Sequence, residues 1–106
     1  MGDLSGANLE FAELVSTNFR GANLRNAVLR NADLVDADFN GADLGHADLS
    51  GANLNDADLR NADLSGVRYA NAASIKGANI YGVRDAPEGF VAWASSRGAI
   101  SVKSGE

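Results

Sequence analysis

Few residues in this chain have side chains suited to chemistry. There is one histidine, His46, and a set of aspartates spaced at multiples of five: Asp3, Asp33, Asp38, Asp43, Asp48, Asp58 and Asp63. His46 has Asp43 and Asp63 as its nearest candidate co-ligands, whereas a metal site needs several converging donors. Evenly spaced turn aspartates do not converge as the carboxylates of an EF-hand loop do, so calcium is not expected either. Serine, aspartate and histidine all occur, but no phosphate-binding loop and no dinucleotide fingerprint accompanies them. With no cysteine, disulfides and thiolate metal sites are excluded and the redox compartment is left open. The sequence therefore assigns no catalytic residue, no cofactor and no metal, and it reads as a non-enzyme.

The spacing itself is the main signal. Every fifth residue from Leu4 to Leu64 is Leu or Phe, at thirteen consecutive positions. Two residues before each stands a small one: Gly2, Ala7, Ala12, Thr17, then alanine throughout to Ala62. A period of five is neither the 3.6 of a helix nor the 2 of a flat strand. Sustained repetition of this kind means a solenoid, whose units bury their apolar side only by stacking on their neighbours. In the unit Ala32-Asp33-Leu34-Val35-Asp36, Ala32 and Leu34 point inward and Asp33, Val35 and Asp36 outward. One large and one tiny inward residue in five make a narrow, dense tube, which a leucine at the alanine position would overpack.

The run from Ala22-Asn23-Leu24 to Ala62-Asp63-Leu64 resembles the pentapeptide repeat family, whose pattern is A(D/N)LXX. The resemblance spans roughly residues 2–83. It implies an all-β fold, a right-handed quadrilateral β-helix with four units per coil and a turn at each corner. An enzyme pocket is concave, and such a convex rod offers none. Only a concave polar site beside Asn71 would reopen an enzymatic reading. Residues twenty apart then stack at about 4.8 Å. Phe19 lies on Phe39 and then Leu59. Leu4, Leu24, Leu44 and Leu64 form a second ladder. Leu9, Leu29 and Leu49 form a third that ends in Tyr69, and Leu14, Leu34 and Leu54 a fourth that continues to Ile75. Counting Tyr69, Ile75 and Ile80, sixteen units give about four coils and a rod on the order of 20 Å long. Tyr69 to Ile75 is six residues, so Asn71-Ala72-Ala73-Ser74 must hold a bulge at a corner, after which Ala73/Ile75 and Ala78/Ile80 restore the inward pair.

Residues 1–83 are read as the β-helix and 84–106 as a C-terminal capping helix and tail. Asp85 is the expected N-cap, Pro87 sits early in the helix, Phe90, Val91, Trp93 and Ala94 form its apolar face, and Gly98 stops it. The helix is expected from about Pro87 to Ser96 over the last coil, with Ala99 to Val102 as a short edge strand and Lys103 to Glu106 frayed. The stretch Pro87 to Ala94 also resembles tails of some cyanobacterial pentapeptide proteins. No cap is visible at the other end, where Leu4, Leu9 and Phe11 crown an open tube, so self-association through that end is expected. The repeat begins almost at Met1, without a basic n-region or apolar h-region, which leaves room for an upstream segment beyond it. No run reaches the length of a membrane span, so the chain is expected to be soluble and off the membrane. The compartments left open are the bacterial cytoplasm or, after removal of a signal peptide, the periplasm or thylakoid lumen.

Charge is unevenly placed. From Asp3 to Gly66 there are 11 acidic residues and four arginines, −7, whereas Val67 to Glu106 carries five basic and three acidic, +2. An acidic coil argues against direct nucleic-acid binding, which needs a basic face, and suits a basic partner. Asn and Asp before most of the Leu and Phe residues, and Gly recurring two residues after (Gly6, Gly21, Gly41, Gly51, Gly66), are turn formers first. Asp38 over Asp58 and Asp43 over Asp63 place like charges one strand spacing apart, offset by Arg20 and Arg60. The candidate interaction surface is accordingly Asp38, Asp43, Asp58 and Asp63, together with the outward apolar residues Val15, Val35 and Phe11. The expected function is a non-enzymatic scaffold or protein–protein interaction module whose partner the sequence does not name. The alternative is an acidic mimic of duplex DNA that binds a DNA-handling enzyme such as gyrase, as the resemblance implies for members that confer fluoroquinolone resistance. Arg20, Arg25, Arg30 and Arg60 interrupt the spaced negative charge that mimicry requires.

Overall fold

The computed structural model describes residues 2–103. Its backbone is a ladder of parallel bridges between residues twenty apart, running from Asp3 with Asn23 through to Asp48 with Arg68. In each five-residue unit the Leu or Phe N–H donates to a carbonyl in the next coil, as from Leu24 to Asp43 at 2.8 Å. The residue before it donates back to the previous coil, as from Asp43 to Ala22 at 2.9 Å. Each coil is thus bonded on both sides, and the four units of a coil form four faces. The first face carries Leu4, Leu24, Leu44 and Leu64; the second Leu9, Leu29, Leu49 and Tyr69; the third Leu14, Leu34, Leu54 and Ile75; the fourth Phe19, Phe39, Leu59 and Ile80.

The corners explain the five-residue period. The carbonyl of each Leu or Phe accepts the N–H three residues on, as from Ala27 to Leu24 at 3.0 Å. The residue two beyond the Leu or Phe is left-handed at every corner from Gly6 to Gly66, with φ between 58° and 72°. Positive φ at the second central residue is the mark of a type II turn and suits Gly, Asn and Asp. Twelve Asn and Asp residues tighten the corner from the other side: each accepts, through its side chain, the N–H two residues on, as Asp43 does from Gly45 at 2.9 Å. The expected turn-forming role of these residues is therefore what the backbone shows.

Inside, the alanine and Leu/Phe columns from Phe19 to Leu64 are buried, and no polar residue is buried with them. Phe19 and Phe39 stack with centroids 5.1 Å apart and rings 7° from parallel. The molecule measures 28 × 25 × 24 Å, so it is a block rather than the expected rod. A few rungs at about 4.8 Å reach only the width of one square section.

The extra residue after Tyr69 corrects one expectation. Ala72, not Ala73, keeps the small inward slot, with its N–H on Tyr69 O at 2.9 Å, and Ala73 is exposed. Ala73 donates its N–H to Ala52 while Ser74 supplies the carbonyl for Leu54, so the two share the place opposite Asn53. Two residues facing one is a β-bulge. Asn55 Oδ1 pins it, accepting the Ser74 hydroxyl and, at 3.0 Å, the Lys76 N–H.

The helix is also shorter than expected. α1 spans Phe90–Ser96, and its N-cap is Gly89 at φ 89°, not Asp85. Asp85, itself left-handed at φ 55°, turns the chain away from the last coil, and Pro87 lies in a tight turn whose carbonyl accepts the Phe90 N–H at 3.0 Å. Gly98, at φ 94°, ends the helix as expected. The tail then returns as the anticipated edge strand: Ile100 bridges Asn79 in parallel, and the Asn79 side chain bonds both the N–H and the carbonyl of Val102. Residues 104–106, which carry most of the expected fraying, lie outside the described residues.

Candidate interaction surfaces

The outward side chains stand in columns because the backbone repeats every twenty residues. The residue after each Leu or Phe lies diagonally across from the residue before the Leu or Phe of the next coil, eighteen positions on. Arg20, Arg25 and Arg30 occupy the first kind of position and reach Asp38 at 3.2 Å, Asp43 at 3.0 Å and Asp48 at 3.3 Å. Arg25 also lies 3.9 Å from Asp63, so one guanidinium spans two stacked carboxylates. Arg60 finds no carboxylate in the next coil, where Asn79 stands opposite Asp58. It folds back onto Asp58 in a two-pronged contact, Nε to Oδ1 at 2.9 Å and Nη2 to Oδ2 at 2.6 Å.

Asp38, Asp43, Asp58 and Asp63 are therefore arginine-paired, half-buried and bonded to the backbone of their own corners. The backbone N–H of Ser65 is the main group holding Asp63 below the ordinary carboxylate pKa, opposed by burial and helped by the Ser65 hydroxyl, Arg84 and Arg25. At Asp58 burial acts upward, but Arg60 overcomes it and the pKa is again lowered. A carboxylate whose folded pKa is depressed contributes stability that is present above its unfolded pKa and lost as pH falls through the folded one. The denaturation midpoint is expected to hold from neutral pH down towards the ordinary value of 3.8 and to fall below it. Asp63→Asn, which keeps the corner hydrogen bond, is expected to flatten that fall in urea titrations across acid pH.

Gly45 is buried under Arg25, and a Cβ there would overlap the guanidinium. Gly45→Ala is expected to dislodge Arg25 from Asp43 and Asp63 at a cost below about 1 kcal/mol, since half-exposed ion pairs contribute little. Side-chain NMR of Arg25 and a urea titration check both halves of that expectation.

The third face is different. Its outward carboxylates, Glu13 and Asp33 before the leucines and Asp36 and Asp56 at the following corner, have no ion-pair partner among the described residues. Between them runs the column of Val15, exposed at 53%, and half-buried Val35, with Phe11 exposed at 69% on the preceding corner. Val15 and Val35 thus stack among this unpaired acidic set and not with Asp38, Asp43, Asp58 and Asp63, and Phe11 stands apart from them on the preceding corner. The sequence held part of the sorting signal: a spacing of eighteen from Arg to Asp marks Asp38, Asp43 and Asp48, but neither Asp58 nor Asp63.

The second face carries two shallow, open clefts, one lined by Arg30, Ser50, Arg68, Tyr69 and Asn71, the other by Asn26, Val28, His46, Asp48 and Arg68. The first is the polar concavity beside Asn71 that would reopen an enzymatic reading, and its chemistry is poor. Ser50 donates its hydroxyl to Asp48 at 2.6 Å. Burial acts upward on that carboxylate, but Ser50 and Arg30 outweigh it and hold its pKa below the ordinary value, which makes it a weak base. His46 lines the other cleft, and no metal-binding group of three or more His, Cys, Asp or Glu occurs among the described residues.

A sequence profile described as pentapeptide repeats (8 copies) matches residues 3–41 and 32–68. The chain belongs to the pentapeptide repeat family. Its architecture is the right-handed quadrilateral β-helix of that family, shared with several solved structures. HetL, a pentapeptide repeat protein involved in heterocyst differentiation regulation in the cyanobacterium Nostoc sp. strain PCC 7120, is 40% identical over 73% of this chain, with a TM-score of 0.67. A pentapeptide repeat protein of the Arabidopsis thaliana thylakoid lumen is 28% identical over 99% of this chain and 83% of its own, with a TM-score of 0.57. QnrB1, a plasmid-mediated fluoroquinolone resistance protein, has a TM-score of 0.68 over 76% of this chain at 23% identity, a likeness of fold alone. This pentapeptide repeat chain spans 36% of the length of HetL and 45% of that of QnrB1. No curated protein is significantly similar to it in sequence. No helix among its described residues is long and apolar enough to cross a membrane.

Proposed function

We propose that this chain is a non-enzymatic scaffold, a protein–protein interaction module. Residues 1–83 form about four coils of its body and 84–106 its helical cap. The observation that carries this reading is the rigid registration of outward side chains: every coil presents the same columns, fixed by backbone bonds on both sides. Such a surface recognises by pattern and needs no reorganisation to bind. Its homotypic form, self-association through the first coil, where Leu4, Leu9 and Leu14 are only half-buried, is read by sedimentation at high concentration.

The competing reading is an acidic mimic of duplex DNA that binds a DNA-handling enzyme such as gyrase. The charge of the coil favours it, but Arg20, Arg25, Arg30 and Arg60 neutralise the stacked aspartates it would use. Capture from a bacterial lysate with wild type and an Asp38/Asp43/Asp58/Asp63→Asn variant separates the two. A DNA-handling enzyme lost with those charges supports mimicry. A partner retained by both variants supports a module that binds elsewhere on the coil. Failure of both baits to bind any protein argues against the module.

A further inference from the structure

We propose that the third face is the docking surface, and that its partner is a basic protein segment with a narrow apolar stripe bordered by Lys or Arg. The inference rests on the interaction-module reading and names its site. The geometry is a strip: Val15 and Val35 lie one above the other, with Glu13 and Asp33 along one side and Asp36 and Asp56 along the other. An apolar column between two carboxylate columns matches a segment whose apolar stripe is flanked by cations. The stacked aspartates Asp38, Asp43, Asp48, Asp58 and Asp63 have their arginines built in, whereas on this face an incoming cation finds four carboxylates bordering one apolar column, all without an ion-pair partner among the described residues. Charge complementarity also decides against other occupants. A nucleic acid or an anionic membrane would meet four carboxylates, and a second copy seated face to face would set these carboxylates against each other.

Phe11 adds an independent observation. It is left-handed at φ 61°, in a corner slot that holds Asn31 and then Gly51 in the next two coils, and it is exposed. Strain held at an exposed aromatic does not serve the fold, and an outlier of this kind marks a contact residue.

The test uses the full chain and a fluorescent helical peptide with a leucine stripe bordered by arginines. Anisotropy measures binding, and amide shifts locate it. Binding is expected to weaken with salt and to move the amides of Glu13, Val15, Asp33, Val35 and Asp36. Phe11→Gly is expected to raise Tm by a few degrees while weakening binding, a combination that misfolding cannot produce. Asp33→Asn/Asp36→Asn is expected to weaken binding at least about tenfold, and Asp38→Asn/Asp58→Asn on the arginine-paired fourth face to leave it unchanged. Amide shifts on another face, or equal loss in both double variants, would overturn the surface assignment while the module reading stands. Equal binding of a peptide with serine in place of leucine would overturn the apolar half of the partner's chemistry. Absence of binding would overturn the partner's chemistry outright, whereas the module reading is judged by the lysate capture. Dimerisation of the free chain abolished by the third-face variants would assign the face to a second copy and overturn the proposal.

Discussion

Leu34→Lys is expected to leave the chain unfolded. Leu34 is fully buried in the third-face ladder, bonded through its backbone to Asn53 of the next coil and flanked by the alanine column. Replacing it forfeits about 1.5–3 kcal/mol of apolar burial. It also brings an amine into a tube whose lining is entirely apolar, with no buried polar partner among the described residues. An unpaired ion in such a place costs several kcal/mol, and neutralising it instead costs the pKa shift. Together these exceed about 5 kcal/mol, the lower end of what small domains have to lose. A solenoid has no second core to fall back on: the coils above and below Leu34 lose their packing with it. Asp36→Lys, two residues on, is the matched control. It faces water and is expected to fold, less stable by about 1–2 kcal/mol because lysine fits φ 62° less well than aspartate. Far-UV circular dichroism with urea titration separates the pair; a folded Leu34→Lys would overturn the inward assignment.

Most of the coil was legible because a five-residue period admits one arrangement of inside and outside, and the Leu/Phe and alanine columns fall where it puts them. The failures share a physical cause. At the bulge, Ala72 and Ala73 are the same residue, so composition could not say which takes the inward slot; hydrogen bonding to Tyr69 and Ala52 decides it. At the cap, Asp85 and Pro87 form a good local N-terminal signal, but Gly89 at φ 89° makes the helix start at Phe90. Local propensity lost there to the need to bring Phe90 over the last coil.

The candidate surface was half legible. Phe11, Val15 and Val35 are outward as their unit positions require. The aspartates were chosen as stacked like charges, and stacking was right, but ion pairing depends on a cross-coil offset that is visible only once twenty-residue stacking and side-chain reach are combined. That offset pairs Asp38 and Asp43, while Asp63 is reached by Arg25 from two coils away and Asp58 by Arg60 of its own coil. The same offset leaves Glu13, Asp33, Asp36 and Asp56, on which the sequence places no arginine eighteen residues before or after. Four of the coil's carboxylates without an ion-pair partner among the described residues thus share one face, a distribution that suits the proposed docking strip better than a phosphate backbone.

The second large effect is expected at the cap. Phe90 is 1% exposed, edge-on to Tyr69 with centroids 5.1 Å apart, and Trp93 closes on the same ring at 4.9 Å. Tyr69 is the last member of the second-face ladder and only half-buried, so these two aromatics are its cover. Phe90→Ala is expected to cost about 3–5 kcal/mol from lost burial and the cavity left behind. The loss should not spread evenly, because in a solenoid each coil is held by its neighbours. Without Phe90, α1 has only Ala94 fully buried, and the returning strand at Ile100 loses the helix that positions it. The Ile80 amide, which donates to Ile100 at 2.8 Å, is expected to lose most of its hydrogen-exchange protection, while the Leu34 and Phe39 amides keep theirs. Equal loss at all three would mean that the coils unfold as one unit and that the cap is part of a single cooperative core. Selective loss at Ile80 would identify α1 as a terminal cap that guards the last coil and leaves the proposed docking strip on the first three coils intact.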